Sequence, residues 1–316
     1  MDKITPTQSF SLSCIRIIAT ILILSCHLLQ GYENQWAFLL NVGVQIFFLL
    51  SGFLYGKKEI VNIKLFYKSR VIKVYLPYVI FFIIISIIYF LFKHKITFIQ
   101  IIGYILNIQA FIKPVEGLNH LWFLSVLMIC YLITPFILRA LKKPYVFFVI
   151  GFILFTIQFV WIQKMYSMSL WIMIYIIGIC MGKYESKLLK NCLFFVSLIA
   201  LSVLLYNFSF NKLIDSGFSH YNGWLHIMLA IFLFLILYWL FDSVLLMKKL
   251  NKISKQLDSY SYEVYLTHHV FMLGPLSILY ITKYDSVNIF LIILATILSA
   301  IILKFITSHI IKSLKL

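Results

Sequence analysis

Runs of about twenty consecutive apolar residues recur along this chain, and nothing else limits its fold so strongly. A backbone in hydrocarbon finds no water to bond to, so each run must satisfy its own peptide groups as a helix. Ten runs meet that template, at roughly 11 to 29, 37 to 55, 74 to 92, 118 to 138, 144 to 162, 169 to 182, 191 to 208, 224 to 243, 260 to 281 and 289 to 307, the sixth being short. Composition agrees: 63% of the 316 residues are hydrophobic and 12% charged, outside the soluble globular range. The sequence therefore predicts an all-α, polytopic transmembrane helix bundle of about ten spanning helices. No Gly/Ser-rich or Pro-rich linker interrupts it, so 1–316 reads as a single integral membrane domain.

The formal net charge of +17 would point to nucleic acid in a soluble protein. Here the Lys and Arg residues crowd into short gaps between apolar runs, so anionic lipid headgroups of the bilayer are the expected partner and nucleic acid is not. With the N-terminus inside, 19 of the 27 Lys and Arg fall in cytoplasmic segments, above all Lys57 to Lys73, and 6 in outer ones. The positive-inside bias thus places both termini in the cytoplasm. Five cysteines, without a Cys-x-x-Cys pair and mostly inside apolar runs, read as small packing residues. No small-residue cleavage site follows the first run, which reads as a retained helix. Residues 99–112 form an apolar patch in an outer connection and fit a re-entrant or interfacial helix.

Ionisable residues inside the first run carry the chemistry. Arg16 and His27 are eleven residues apart, three turns plus about 20°, so they share one helix face about 16 Å apart along the axis. Imidazole titrates near neutral pH, which suits His27 to take a proton from a hydroxyl, whereas a snorkelling Arg16 and an interfacial His27 are the plain alternatives. Glu33, past the helix end, either orients His27 or is an exposed loop carboxylate. Ser51 precedes Gly52, and Gly52-x-x-x-Gly56 is a helix-packing motif, so packing is favoured over a nucleophile; no Gly-x-Ser-x-Gly elbow surrounds it. His120 and Trp122 open the fourth run on the outer side, fit either to anchor the interface or to hold a sugar. His268 lies mid-run with Tyr265 nearby, and His269 diverges by about 100°, so at most one of the two histidines is expected to face a site. No His-x-x-x-His or Glu-x-x-His pairing is present, and no metal is expected.

Five strings fall in order along the chain: Arg16 and His27 with ten residues between them; Val44-Gln45-Ile46-Phe47-Phe48-Leu49-Leu50-Ser51-Gly52-Phe53-Leu54; Phe66-Tyr67-Lys68-Ser69-Arg70-Val71-Ile72-Lys73-Val74-Tyr75-Leu76-Pro77; His120-Leu121-Trp122-Phe123-Leu124-Ser125; and Tyr260-Ser261-Tyr262-Glu263-Val264-Tyr265-Leu266-Thr267-His268-His269. Together they resemble the acyltransferase-3 family of membrane O-acyltransferases, which modify extracytoplasmic sugars and polymers. The resemblance implies His27 as general base, with no bound cofactor and acyl-CoA, foremost acetyl-CoA, as donor substrate. Arg16, Arg70 and Lys73 would meet the donor's phosphates. It implies a glycan or lipid-linked sugar as acceptor, and the bacterial cytoplasmic membrane as location. Envelope polysaccharide synthesis machinery or a second copy of the chain are the protein partners it allows. One departure stands out: the family's Arg-x-x-Arg is here Arg70-x-x-Lys73, and lysine lacks the planar fork for bidentate phosphate contact. A polysaccharide transporter or flippase is the alternative from another class, and a noncatalytic partner of a polysaccharide synthase a third.

Overall fold

The computed structural model describes residues 5–142, 163–184, 187–209, 219–242 and 247–314, which form helices and no strand. The helices are α1 (Pro6–Gly31), α2 (Ala37–Leu40), α3 (Val42–Gly56), α4 (Ile63–Arg70), α5 (Leu76–Leu91), α6 (Phe98–Ile105), α7 (Trp122–Ala140), α8 (Gln163–Tyr184), α9 (Lys187–Ser209), α10 (Ser219–Asp242), α11 (Met247–Asp258), α12 (Ser261–Met272) and α13 (Asp285–Ser313). Among the described residues six helical segments are long and apolar enough to span a bilayer: Pro6–Gly31, Ala37–Gly56, Ile63–Leu91, Asn119–Ala140, Gly223–Asp242 and Asp285–Ser313. Helices α8 and α9 cover the expected runs at 169 to 182 and 191 to 208, with the apolar stretches Met168–Tyr184 and Leu193–Val203 among the described residues. The expected span at 144 to 162 lies outside the described residues. That at 260 to 281 is corrected, because α12 ends at Met272 and irregular chain follows. Gly274 and Pro275 stop it there: proline cannot continue the ladder and biases the residue before it away from helix.

The chain divides into two compact units, Met1–Leu22 with Asn41–Val61 and Leu132–Lys255, and Ile23–Leu40 with Asn62–Tyr131 and Gln256–Leu316. In the first, α3 meets α8 main chain to main chain. A Cβ on Gly52 or Gly56 would run into the carbonyl of Tyr175 or Ile179, and one on Gly178 or Gly182 into that of Leu49 or Phe53. Small residues four apart on both helices allow this close approach where lipid offers no hydrophobic drive to association. Around the seam Phe48 stacks on Trp171 at 5.5 Å, Phe53 meets Phe234 at 5.3 Å, and Thr134 shares a 2.6 Å hydroxyl bond with Tyr175.

In the second unit α4 runs through one π-helical stretch, Val71–Tyr75, into α5. Pro77 explains the wide turn: it has no N–H for the Lys73 carbonyl four residues back and its ring crowds that oxygen. The Tyr262 hydroxyl of α12 donates to Val74 O in that stretch at 2.6 Å. The apolar patch after α5 folds as α6, opened by a Thr97–Gln100 capping box, and Gln100 Nε2 reaches on to the carbonyls of Lys113 and Pro114. Tyr104 on α6 stacks on Phe82 at 4.9 Å; burial pushes its phenol up to about 12, so it stays a neutral donor to Leu118 O while accepting from Val115 N. These bonds fix the turn at 115–121. Helix α13 buries Asn288, Ile292, Thr296, Ala300, Leu303 and Thr307 along one stripe and exposes Phe290, Ile293, Leu294, Ile297, Ile301 and Phe305. Its larger apolar residues face outward, as lipid requires. Lys304 on the same helix bonds the main chain of Ser259 and its hydroxyl, and stands 3.8 Å over the Tyr260 ring.

Candidate active site

Four histidines converge in the second unit. His27 comes from the last turns of α1, His120 from the 3₁₀ turn Asn119–Leu121 that leads into α7, and His268 and His269 from α12. Ring centroids lie 5.2 Å from His27 to His268, 4.6 Å from His27 to His269 and 6.5 Å from His27 to His120. His120 is 5.1 Å from His268 and 4.6 Å from His269, on which it stacks at 14°. His120, His268 and His269 are buried. The expectation that at most one of His268 and His269 meets the site is corrected: their rings are 6.0 Å apart and His27 is close to both. Neighbours on a helix diverge at Cβ, yet two long side chains can close on a ring placed between them.

The clasp that holds the cluster runs between α12 and the 117–120 turn. Tyr265 OH donates to His120 O at 2.5 Å, His120 Nε2 faces Leu266 O at 3.1 Å, and His269 Nδ1 faces Gly117 O at 2.9 Å. Gly117 has φ +75, and a Cβ there would also stand 2.5 Å from Tyr89 OH and 3.1 Å from Gly274 Cα, so the turn requires glycine twice over.

Carbonyl oxygens only accept, so each ring nitrogen facing one carries the proton. His120 therefore donates from Nε2 and His269 from Nδ1. His268 donates from Nδ1 to Tyr265 O at 2.7 Å, with Val264 O at 3.2 Å, and His27 from Nδ1 to the Gln30 side-chain oxygen at 2.7 Å. With one N–H spent on each ring, the second nitrogen of a neutral imidazole is a bare acceptor. His120 Nδ1 and His268 Nε2 are buried without a hydrogen-bond partner among the described residues. Unsatisfied buried acceptors cost about 1–3 kcal/mol each, which a ligand hydroxyl or a proton would recover. No described carboxylate bonds to any of the four, and no described group of His, Cys, Asp and Glu is arranged to hold a metal.

The other sequence-derived candidates are distributed as follows. Tyr265 is buried and braces the cluster through His120. Trp122 is half-buried at the start of α7. Glu33 is exposed beyond α1 at φ 53; the oxygen that orients His27 belongs to Gln30. Arg70 is half-buried at the end of α4, with Nε and Nη2 donating to Ser69 Oγ at 3.2 and 2.9 Å and its guanidinium 5.6 Å from the Tyr131 ring centre. Lys73 is exposed in the π-helical stretch. Arg16 and Ser51 are half-buried and belong to the first unit, Ser51 beside the glycine seam. Of the proposed site residues the second unit thus gathers His27, His120, Tyr265 and His268, and adds His269, Gln30 and Gly117. Gln30 was findable, since the third residue after His27 lies on the same helix face.

Together the described helices and this cluster define an all-helical, multi-pass membrane protein with a buried set of proton acceptors. A family model described as an acyltransferase domain, that of the acyltransferase-3 family, matches residues 10–309, nearly the whole chain. The chain belongs to this family and is a membrane acyltransferase. No curated protein and no solved structure matches it.

Proposed function

We propose that this acyltransferase moves an acetyl or other short acyl group from cytoplasmic acyl-CoA to a hydroxyl of an extracytoplasmic polysaccharide or lipid-linked glycan. His27 is the general base. The observation that carries the reading is the placement of His27: its Nδ1 faces the Gln30 side-chain oxygen at 2.7 Å, which leaves Nε2 as the accepting atom in a cluster whose open positions all accept. Such a cluster suits a hydroxyl donor and repels a phosphate. As the hydroxyl oxygen attacks the thioester carbonyl carbon, its proton goes to Nε2; the C–S bond then breaks, and the CoA thiolate leaves and is protonated. His120, His268 and Tyr265 line the acceptor end, with Trp122 at its edge. Anionic donor phosphates need cations instead, and Arg16, Arg70 and Lys73 take that role, Arg70 as the planar fork and Lys73 as a point charge. Both termini and residues 57–73 lie on the cytoplasmic side, in keeping with the 19 to 6 charge bias.

The test is His27→Ala, with acylation of envelope glycans read by mass spectrometry and membrane insertion checked alongside. Loss of acylation at equal protein level is expected; near-normal acylation would remove His27 from the chemistry.

A further inference from the structure

A base that must hold a proton needs something to stabilise the resulting cation, and around His27 that something is unusual. Its Nδ1–H goes to a neutral amide oxygen, and no described carboxylate, lysine or arginine bonds any ring of the cluster. What surrounds it from α12 and from the 117–120 turn is three more imidazoles and the Tyr265 ring, which lies 5.4 Å from His120 and 5.9 Å from His268. Every one of their N–H groups is committed to a carbonyl outside the cluster. In the neutral state the four rings therefore offer one another lone pairs only, and no bond can form between them. One added proton changes this. It turns a ring nitrogen into a donor, and a neighbouring bare nitrogen becomes its acceptor. A second proton would set two cations 4.6–6.5 Å apart with no anion bonded to either.

We propose that the four imidazoles act as one base that stores a single proton, with His269 the ring that shares it with His27. This rests on the general-base reading given above. The hydroxyl proton passes to His27 Nε2 as the new C–O bond forms, is held in an N–H···N bond to His269 Nε2, and leaves to the CoA sulfur when the C–S bond has broken with its electron pair on sulfur. No further oxidant, reductant or base is needed. His269 is the partner because its ring is the nearest of the three, its centroid 4.6 Å from that of His27 at 77°. His269 is also held rigidly, by Gly117 O on one nitrogen and by the stacked His120 ring. The cluster of neutral rings thereby does for His27 what a carboxylate does in a hydrolytic triad.

The test compares two substitutions. In His269→Asn the amide nitrogen falls where Nδ1 stood and keeps the bond to Gly117, while the far nitrogen is gone; in His269→Gln an amide oxygen falls near the position of Nε2. His269→Asn is expected to lower acyl-transfer turnover about tenfold, with the KM for acyl-CoA unchanged. It should also move the acid edge of the pH profile to lower pH, because a base without its partner gives up its proton more readily. His269→Gln should recover part of the turnover. Equal turnover in both variants with an unmoved pH profile would reduce His269 to packing and overturn the proposal. Should neither variant insert, the full-length protein carrying ¹⁵N-histidine in nanodiscs decides. Acidification through that edge should add one proton to the four rings with the His27 and His269 signals moving together, and titration of His27 alone would refute the sharing. If His27→Ala itself stays active, the base reading fails; if it is inactive while His269→Asn keeps the native profile, only the sharing fails.

Discussion

Replacing Gln30 separates orientation from chemistry, since its side chain is exposed at the end of α1 and touches the reaction only through His27. In the resting enzyme the 2.7 Å bond from His27 Nδ1 joins two neutral groups, worth about 0.5–1.5 kcal/mol net. When Nε2 takes the acceptor proton the ring becomes a cation, and the same bond strengthens to about 1.5–3 kcal/mol. The difference, about 1–2 kcal/mol, is stabilisation present in the transition state and absent before it, so Gln30→Ala should lower kcat about 5–30-fold. It should leave the KM for acyl-CoA near its native value. Gln30→Glu keeps an oxygen acceptor for Nδ1–H and adds charge that favours the imidazolium, so it should retain turnover. The assay is release of the CoA thiol by purified protein in nanodiscs, with acceptor supplied on both faces. Native kcat in Gln30→Ala, or an equal fall in Gln30→Ala and Gln30→Glu, would refute the orienting role.

Three further outcomes follow. Gly52→Ala or Gly178→Ala should destabilise the protein by about 1–3 kcal/mol, seen as a lowered thermal unfolding midpoint, because each methyl meets a carbonyl of the facing helix. Gly117→Ala should weaken the His269 anchor and reduce turnover more than it lowers the unfolding midpoint, since the turn that bears the accepting carbonyl would shift. Cysteines placed in residues 57–73 should resist a membrane-impermeant maleimide in intact cells and react after permeabilisation; labelling in intact cells would invert the assigned orientation.

Helix existence was legible in the apolar runs because a run in lipid has only one way to satisfy its backbone. The break after Met272 was written in Gly274-Pro275 but outweighed by the apolar residues on both sides, since hydropathy counts side chains and misses main-chain geometry. Gly52-x-x-x-Gly56 announced a close helix contact, yet its partner Gly178-x-x-x-Gly182 lies more than a hundred residues away, and pairing of that kind is fixed only by the fold. The site divides the same way. His27 stood out as an ionisable residue in an apolar helix, and Gln30 followed it by one turn. The angular argument that admits only one of His268 and His269 holds for Cβ directions and not for ring ends, and nothing in the sequence ties Gly117 to His269 across 152 residues.

The glycine seam between α3 and α8 has a consequence for the surrounding lipid. Two helices touching through main-chain atoms cannot slide by a turn, because the next position in each row is a bulky side chain, Phe48 four residues before Gly52 and Ile174 four before Gly178. Their combined hydrophobic length is thus fixed. A thinner or thicker bilayer must then be met by tilting the pair as one body or by deforming the lipid beside it, at a cost that grows with each ångström of mismatch. Acyl-transfer rates measured in vesicles of graded chain length should therefore peak sharply at one thickness.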